Sequence, residues 1–170
     1  MPKPAMAHEA RLTTALRELL STQRTAALGT LDEHGQPFVS MVPLAVDPNA
    51  RELVIHVSGL AAHTRNLQRA PRASLMVCQA EVAGEPVHAL PRVTLEVQAS
   101  EPEPGSAAAQ GARDAYLTRF PEAEPMTALG DFRFVRLAVL GARQVAGFGA
   151  ARSLDADEVR RALGPAPDAP

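Results

Sequence analysis

Hydrogen-bond donors concentrate in one stretch of this chain, Ser58-Gly59-Leu60-Ala61-Ala62-His63-Thr64-Arg65-Asn66-Leu67. The stretch follows a β-branched, apolar run and leads into residues at helical spacing, so a strand end there meets a helix start. Free amides at a helix amino end carry partial positive charge and point at whatever lies beyond it. With the Ser58 and Thr64 hydroxyls beside them and Arg65 able to clamp two oxygens, the chemistry is that of an anion or phosphate site. His63 and Asn66 lie three residues apart, on one helix face, where both could address a single ligand. The same residues also suit a quieter role, with Ser58 as a cap, His63 and Asn66 as satisfied surface groups and Arg65 in solvent. Residue chemistry alone leaves both readings open.

Other chemistries find little to work with. The chain has no G-x-x-x-x-G-K-[ST] loop, no H-E-x-x-H, no G-x-S-x-G elbow and no Gly-rich dinucleotide fingerprint. Its five histidines, at positions 8, 34, 56, 63 and 88, lack close ligand spacing, so no metal site is expected. Cys78 is the single cysteine and sits in the apolar run Ser74-Leu75-Met76-Val77-Cys78, the setting of a small buried hydrophobe and not of a catalytic thiol.

The elements that must position these groups follow from length and pattern. A length of 170 residues suits one domain, and 46% hydrophobic residues suffice for a core. A formal net charge of −2 gives no general attraction to nucleic acid or to an anionic membrane. No stretch approaches the roughly 18–20 apolar residues of a membrane span. Residues 1–10 have no apolar run that would make a secretory signal, and a cytoplasmic location is expected.

Leu12, Ala15, Leu16, Leu19 and Leu20 mark an amphipathic helix over residues 9–22. Residues 24–31 and 37–46 read as a hairpin around Asp32-Glu33-His34-Gly35-Gln36, and residues 53–57 as a buried third strand that completes a meander. Leu60, Thr64 and Leu67 predict a short helix stopped by Pro71. Strand character resumes at 73–79, and residues 92–101 alternate cleanly, with Val93, Leu95, Val97 and Ala99 on one face. Residues 102–111 read as a surface loop and 112–120 as a helix ended by Pro121. A long strand over 132–145, bent at Gly141, precedes a final helix opened by an Asp155–Glu158 capping box. Six strands with helices between them indicate an α+β class centred on an antiparallel barrel. Residues 1–8 form an N-terminal extension in this division, 9–163 the domain and 164–170 a flexible tail.

The stretch from Ser58 to Leu67 resembles the S-x-L-A-x-H-T-[RK]-N-L signature of pyridoxamine-phosphate-oxidase-related flavoproteins, especially the branch associated with haem utilisation. The resemblance extends to residues 24–30, to Pro37-Phe38-Val39-Ser40-Met41-Val42-Pro43, to Pro71-Arg72-Ala73-Ser74-Leu75 and to Pro91-Arg92-Val93-Thr94-Leu95. It continues through residues 116–121, Asp131-Phe132 and Gly147-Phe148-Gly149-Ala150-Ala151, and covers about residues 9–155.

The resemblance implies a six-stranded split barrel with short flanking helices, and a homodimer that holds FMN at the subunit interface. By the same resemblance Arg24, Ser58, Arg65 and Asn66 match positions near the flavin phosphate and ribityl chain, with His63 and Thr64 beside them. Ser40, Met41 and Val42 would line the ring, and Arg92 or Phe148 could reach the partner's flavin. The implied activity is an FMN-dependent oxidoreductase that passes electrons to oxygen or to a small organic acceptor. The family's carboxy-terminal Trp-containing segment is absent and the chain has no Trp, which argues against pyridoxamine phosphate itself as substrate. The alternatives are a haem-binding or haem-degrading protein and a non-catalytic flavin binder. The related haem proteins carry an iron-ligating histidine in the carboxy-terminal part, whereas here the last histidine is His88, so haem would need His63, His88 or a non-histidine ligand.

Overall fold

The structure, a computed structural model, describes residues 4–165, with side chains described from Arg11 onward. Helix α1 spans Pro4–Thr22 and so begins before the predicted 9–22, taking in part of the expected extension. Most of the expected tail, 166–170, lies outside the described residues.

Eight strands follow where six were expected. They are β1 (Thr25–Leu31), β2 (Pro37–Pro43), β3 (Ala45–Asp47), β4 (Glu52–Ser58), β5 (Arg72–Cys78), β6 (Arg92–Ser100), β7 (Phe132–Val145) and β8 (Ala151–Asp155). The predicted strand 37–46 breaks at Leu44, whose amide turns back to the Arg24 carbonyl. The other extra strand, β8, forms a hairpin with the second half of β7. All pairings are antiparallel, in the order β2-β1-β5-β6-β7-β4-β3, with β8 on β7. The two ends of that order, β2 and β3, are consecutive in the chain across one residue, so the sheet has to curl on itself into a barrel-like form. The expected meander is corrected: β4 pairs with β3 and β7, not with β2.

The barrel interior is built by period-2 alternation. In β6, Val93, Leu95, Val97 and Ala99 face inward, and they meet Leu28 of β1, Leu75 and Val77 of β5 and Leu137 and Val139 of β7. Each Val or Leu among them contributes about 1.5–3 kcal/mol of apolar burial. Between Glu96 and Val97 the register to β7 shifts by one residue, so Leu140 is the extra residue of a bulge beside Gly141, where the bend was expected. Leu16, Leu19 and Leu20 of α1 and Val159, Ala162 and Leu163 of α4 (Ala156–Leu163) close the barrel against this core.

Strand β4 is covered on both sides. Leu53, Ile55 and Val57 enter the barrel core, while Val54 packs with Ala112, Tyr116 and Phe120 of α3 (Ala107–Arg119) and its cap. Helix α3 begins inside the expected loop 102–111 because Ser106 caps it by accepting the Ala109 amide and alanines fill its first turn. The predicted capping box at α4 is present, with Asp155 bonded to the Glu158 amide and Glu158 to the Asp155 amide. Helix α2 (Ala62–Arg69) ends before Pro71 as the pattern predicts. No helix among the described residues is long and apolar enough to cross a membrane.

Candidate functional site

The strand-to-helix turn is built on a residue remote in sequence. Pairing of Ser58 with Phe132 across β4 and β7 brings Asp131 beside it. Ser58 Oγ donates to Asp131 Oδ2 at 2.8 Å and accepts the Leu60 amide at 3.1 Å, while the Gly59 amide donates to the Asp131 carbonyl at 2.6 Å. Gly59 is required by close approach, since a Cβ there would stand 2.7 Å from Arg133 and 3.1 Å from the Asp131 carbonyl. Ala61 then enters α2 in extended conformation, with no side-chain cap. The first amides of α2, on Ala62 and His63, therefore meet neither an intrahelical acceptor nor a side-chain cap.

The side-chain hydroxyls and the Asn66 carboxamide of the segment have partners within the fold. Thr64 is buried, and its Oγ1 donates to the Ser58 carbonyl at 2.6 Å. Asn66 is buried as well: Nδ2 donates to Thr30 Oγ1 at 3.0 Å and Oδ1 accepts from Arg69 at 3.3 Å, which ties α2 to β1. Arg65 folds back to donate to the Leu60 carbonyl at 2.7 Å. His63 is half-buried and its Nδ1 lies 3.1 Å from Ser40 Oγ on β2, so Nε2 is the ring nitrogen left for a ligand. Burial also lowers the His63 pKa, which keeps the imidazole neutral and suited to metal coordination.

Ser40, Ser58, His63, Thr64, Arg65 and Asn66 thus gather around one helix end, whereas the other expected residues lie apart. Arg24 is at the far end of β1, six residues or about 20 Å of strand from Thr30, where it pairs with Glu122 at 2.7 Å and lies over Phe120. Arg92 opens β6 and donates to the Leu90 carbonyl. Val42 points into the core, but Met41, its neighbour, is 68% exposed on the opposite face of β2. Phe148, between Gly147 and Gly149 in left-handed conformations, projects from the β7–β8 turn with 92% of its surface exposed.

Two features escaped sequence reasoning. Asp131 supports the whole Ser58 turn, yet nothing in local spacing connects positions 58 and 131. The outer sheet face is also more apolar than the pattern suggested: Met41, Ala27 and Met76 lie side by side across β2, β1 and β5, with Val39 next along β2 and exposed. A groove of about 340 Å³ opens beside them over Gly29 and Ser74.

Comparison with known proteins bears on the fold and the family. The pyridoxamine 5'-phosphate oxidase family matches residues 12–146. The Vibrio cholerae protein named heme oxygenase HutZ is 29% identical over 152 residues, covering 89% of this chain and 85% of its own. A solved heme binding protein from Mycobacterium smegmatis superposes with a TM-score of 0.79 at 29% identity over 88% of this chain, which spans 60% of that protein's length. The solved structure of HutZ superposes with a TM-score of 0.65 at 29% identity, over 72% of this chain and 85% of HutZ. The chain belongs to the pyridoxamine 5'-phosphate oxidase-like split-barrel family, and the relatives it is similar to along most of its length include proteins named for haem.

Proposed function

We propose that this protein binds haem against the β2–α2 corner, with His63 as the iron ligand. The observation that carries the reading is the state of His63, held at Nδ1 by Ser40 with Nε2 left over, in a chain similar to two haem proteins along most of its length. A ligating imidazole is ordinarily oriented by a hydrogen bond to its other nitrogen, and Ser40 supplies one. The other histidines whose side chains are described offer less: His56 is enclosed by aromatic rings, His34 is exposed in the β1–β2 turn and His88 is exposed on a short 3₁₀ turn. The open Ala62 and His63 amides and the cationic Arg65 and Arg69 suit propionate carboxylates, and exposed Phe38 on β2 suits an apolar macrocycle. Bound haem would supply iron for oxygen chemistry, while this chain would bind it, orient it and limit access of water.

The exposed strip of Val39, Met41 and Met76 suits burial against a second copy, so the proposed working form is a cytoplasmic homodimer with the cofactor at the subunit interface. FMN is the second reading, favoured by the family match and by the free amides at the α2 start. In that reading the protein is an oxidoreductase acting on oxygen or a small organic acceptor.

Titration with haemin and, separately, FMN separates them. A Soret band that saturates at one haem per subunit, shifts or disappears in His63→Ala and weakens about 10–100-fold in Ser40→Ala is the expected result. Unchanged haemin affinity and spectrum in His63→Ala would overturn the ligand assignment, and saturable FMN binding without haemin binding would establish the second reading. Light scattering on the same samples tests the dimer.

A further inference from the structure

Away from the α2 corner, a cavity of about 610 Å³ lies between α1, α3, the end of α4 and the β3–β4 turn. It is of the size that holds small organic ligands. Leu20, Val46, Ala115, Ala162 and Leu163 give it an apolar wall. At one side stands Asp47, 5% exposed. Its Oδ1 accepts the amides of Asn49 at 3.0 Å and Ala50 at 3.1 Å, which closes the turn. Its Oδ2 has no hydrogen bond and Asp47 has no ion pair among the described residues. That oxygen is not among the buried atoms left without a partner, so it keeps access to the cavity, and a carboxylate oxygen with no protein donor beside an apolar wall is open to a cation or hydrogen-bond donor from outside.

Gly111 keeps that oxygen accessible. It sits mid-helix in α3, where glycine costs about 1 kcal/mol relative to alanine, and the nearest atom to a Cβ built on it is Asp47 Oδ2, at 3.5 Å. A longer side chain at 111 would extend into the space next to the carboxylate. Asp114 and Thr118, on the same helix face, add further acceptors to the rim.

Two cations also line the cavity, and both are engaged. Arg17 donates to the Gly164 and Arg161 carbonyls at the end of α4, and Arg119 to the Ser21 and Gln23 carbonyls at the end of α1, at 2.7 and 2.6 Å. Each guanidinium therefore faces the negative end of a helix dipole, which offsets its charge. Arg119 Nε is buried without a hydrogen-bond partner and so closed to a ligand, whereas Asp47 Oδ2 is unpaired and open to the cavity.

We propose that this cavity is a second ligand site, which binds an organic ammonium ion with a small apolar body: the head donates to Asp47 Oδ2 and the body lies on the Leu20–Val46–Leu163 wall. The test uses 2-phenylethylamine as probe, with 2-phenylethanol and phenylacetate as size-matched controls, followed by calorimetry and saturation-transfer NMR on the full chain. The expected result is saturable binding of the amine, at least tenfold weaker binding of both controls, and at least a tenfold loss in Asp47→Asn and in Gly111→Leu. Asparagine keeps an oxygen for the Asn49 and Ala50 amides, and Gly111→Leu retains the carboxylate while filling the space beside it, so the two variants perturb folding differently. No saturable amine binding, phenylacetate binding as tight as the amine, or full affinity in folded Asp47→Asn would overturn the proposal. The three-probe comparison on the unaltered protein decides the case even if a variant fails to fold. Haemin titration of the variants reports independently on the α2 corner.

Discussion

His56 should make this protein lose stability on mild acidification. The ring is 6% exposed, stacks on Phe134 with centroids 4.4 Å apart and lies 5.1 Å from Phe132 and 5.5 Å from Tyr116. Its Nδ1 is buried with no hydrogen-bond partner, and burial lowers its pKa from the usual 6.5. The folded state therefore holds His56 neutral at pH values where the unfolded chain binds the proton. Its contribution is fully present above about pH 6.5 and is lost as pH falls from there through the lowered folded-state pKa. One proton taken up on unfolding gives a slope of at most about 1.4 kcal/mol per pH unit. His63, lowered by burial in the same direction, adds a second contribution of the same sign. Urea denaturation at pH 7.5, 6.5 and 5.5 measures the sum, and the same series on His56→Phe isolates one part of it. The variant keeps an aromatic ring in the cage and removes the titrating group. Its stability should fall less steeply between pH 6.5 and 5.5 than that of the unaltered protein, with the His63 slope remaining. Parallel pH slopes for the two proteins would refute the claim that His56 is buried as the neutral base.

Two further substitutions test how the α2 corner is held. Gly59→Ala places a Cβ within 3.1 Å of the Asp131 carbonyl, and an overpacking cost of about 1–3 kcal/mol should appear as a lower urea midpoint, together with weaker haemin binding. Asn66→Ala leaves a cavity and removes the donor to Thr30 Oγ1, so stability should fall by about 1–3 kcal/mol; an unchanged midpoint would show that the α2–β1 tie contributes nothing.

Much of the local structure was legible because its causes are local. Alternation from Val93 to Ala99 marked an inward face, Pro71 marked the end of α2, and the spacing of Asp155 and Glu158 marked a helix start; each is decided by side chains within a few residues of one another. The strand-to-helix segment at Ser58 was legible for the same reason, and with it the family. The break at Leu44 was not, because a continuous apolar run reads the same whether it crosses one edge of a sheet or both. Helix α3 started early because Ser106 could cap it, a signal that the surrounding Pro and Gly residues concealed.

The roles of individual site residues depended on contacts that no local pattern encodes. Asn66 and Thr64 were plausible ligand donors from their types, and only packing against Thr30 and the Ser58 carbonyl engages them within the fold. Arg24 immediately precedes the strand that carries Thr30 and so lies at the opposite end of it. His63 became the candidate ligand through Ser40, on a strand remote from α2 in sequence, and His56 was removed from consideration by rings supplied from α3 and β7. Asp47 reads in sequence as an ordinary turn residue, and the apolar wall beside it is assembled from α1, α3 and α4. The sequence by itself determined the periodicities, caps and breaks that form the elements, and a motif that marks the family. Tertiary structure decided strand order, burial and which polar groups retain a free valence, because those depend on which distant segments exclude water from one another.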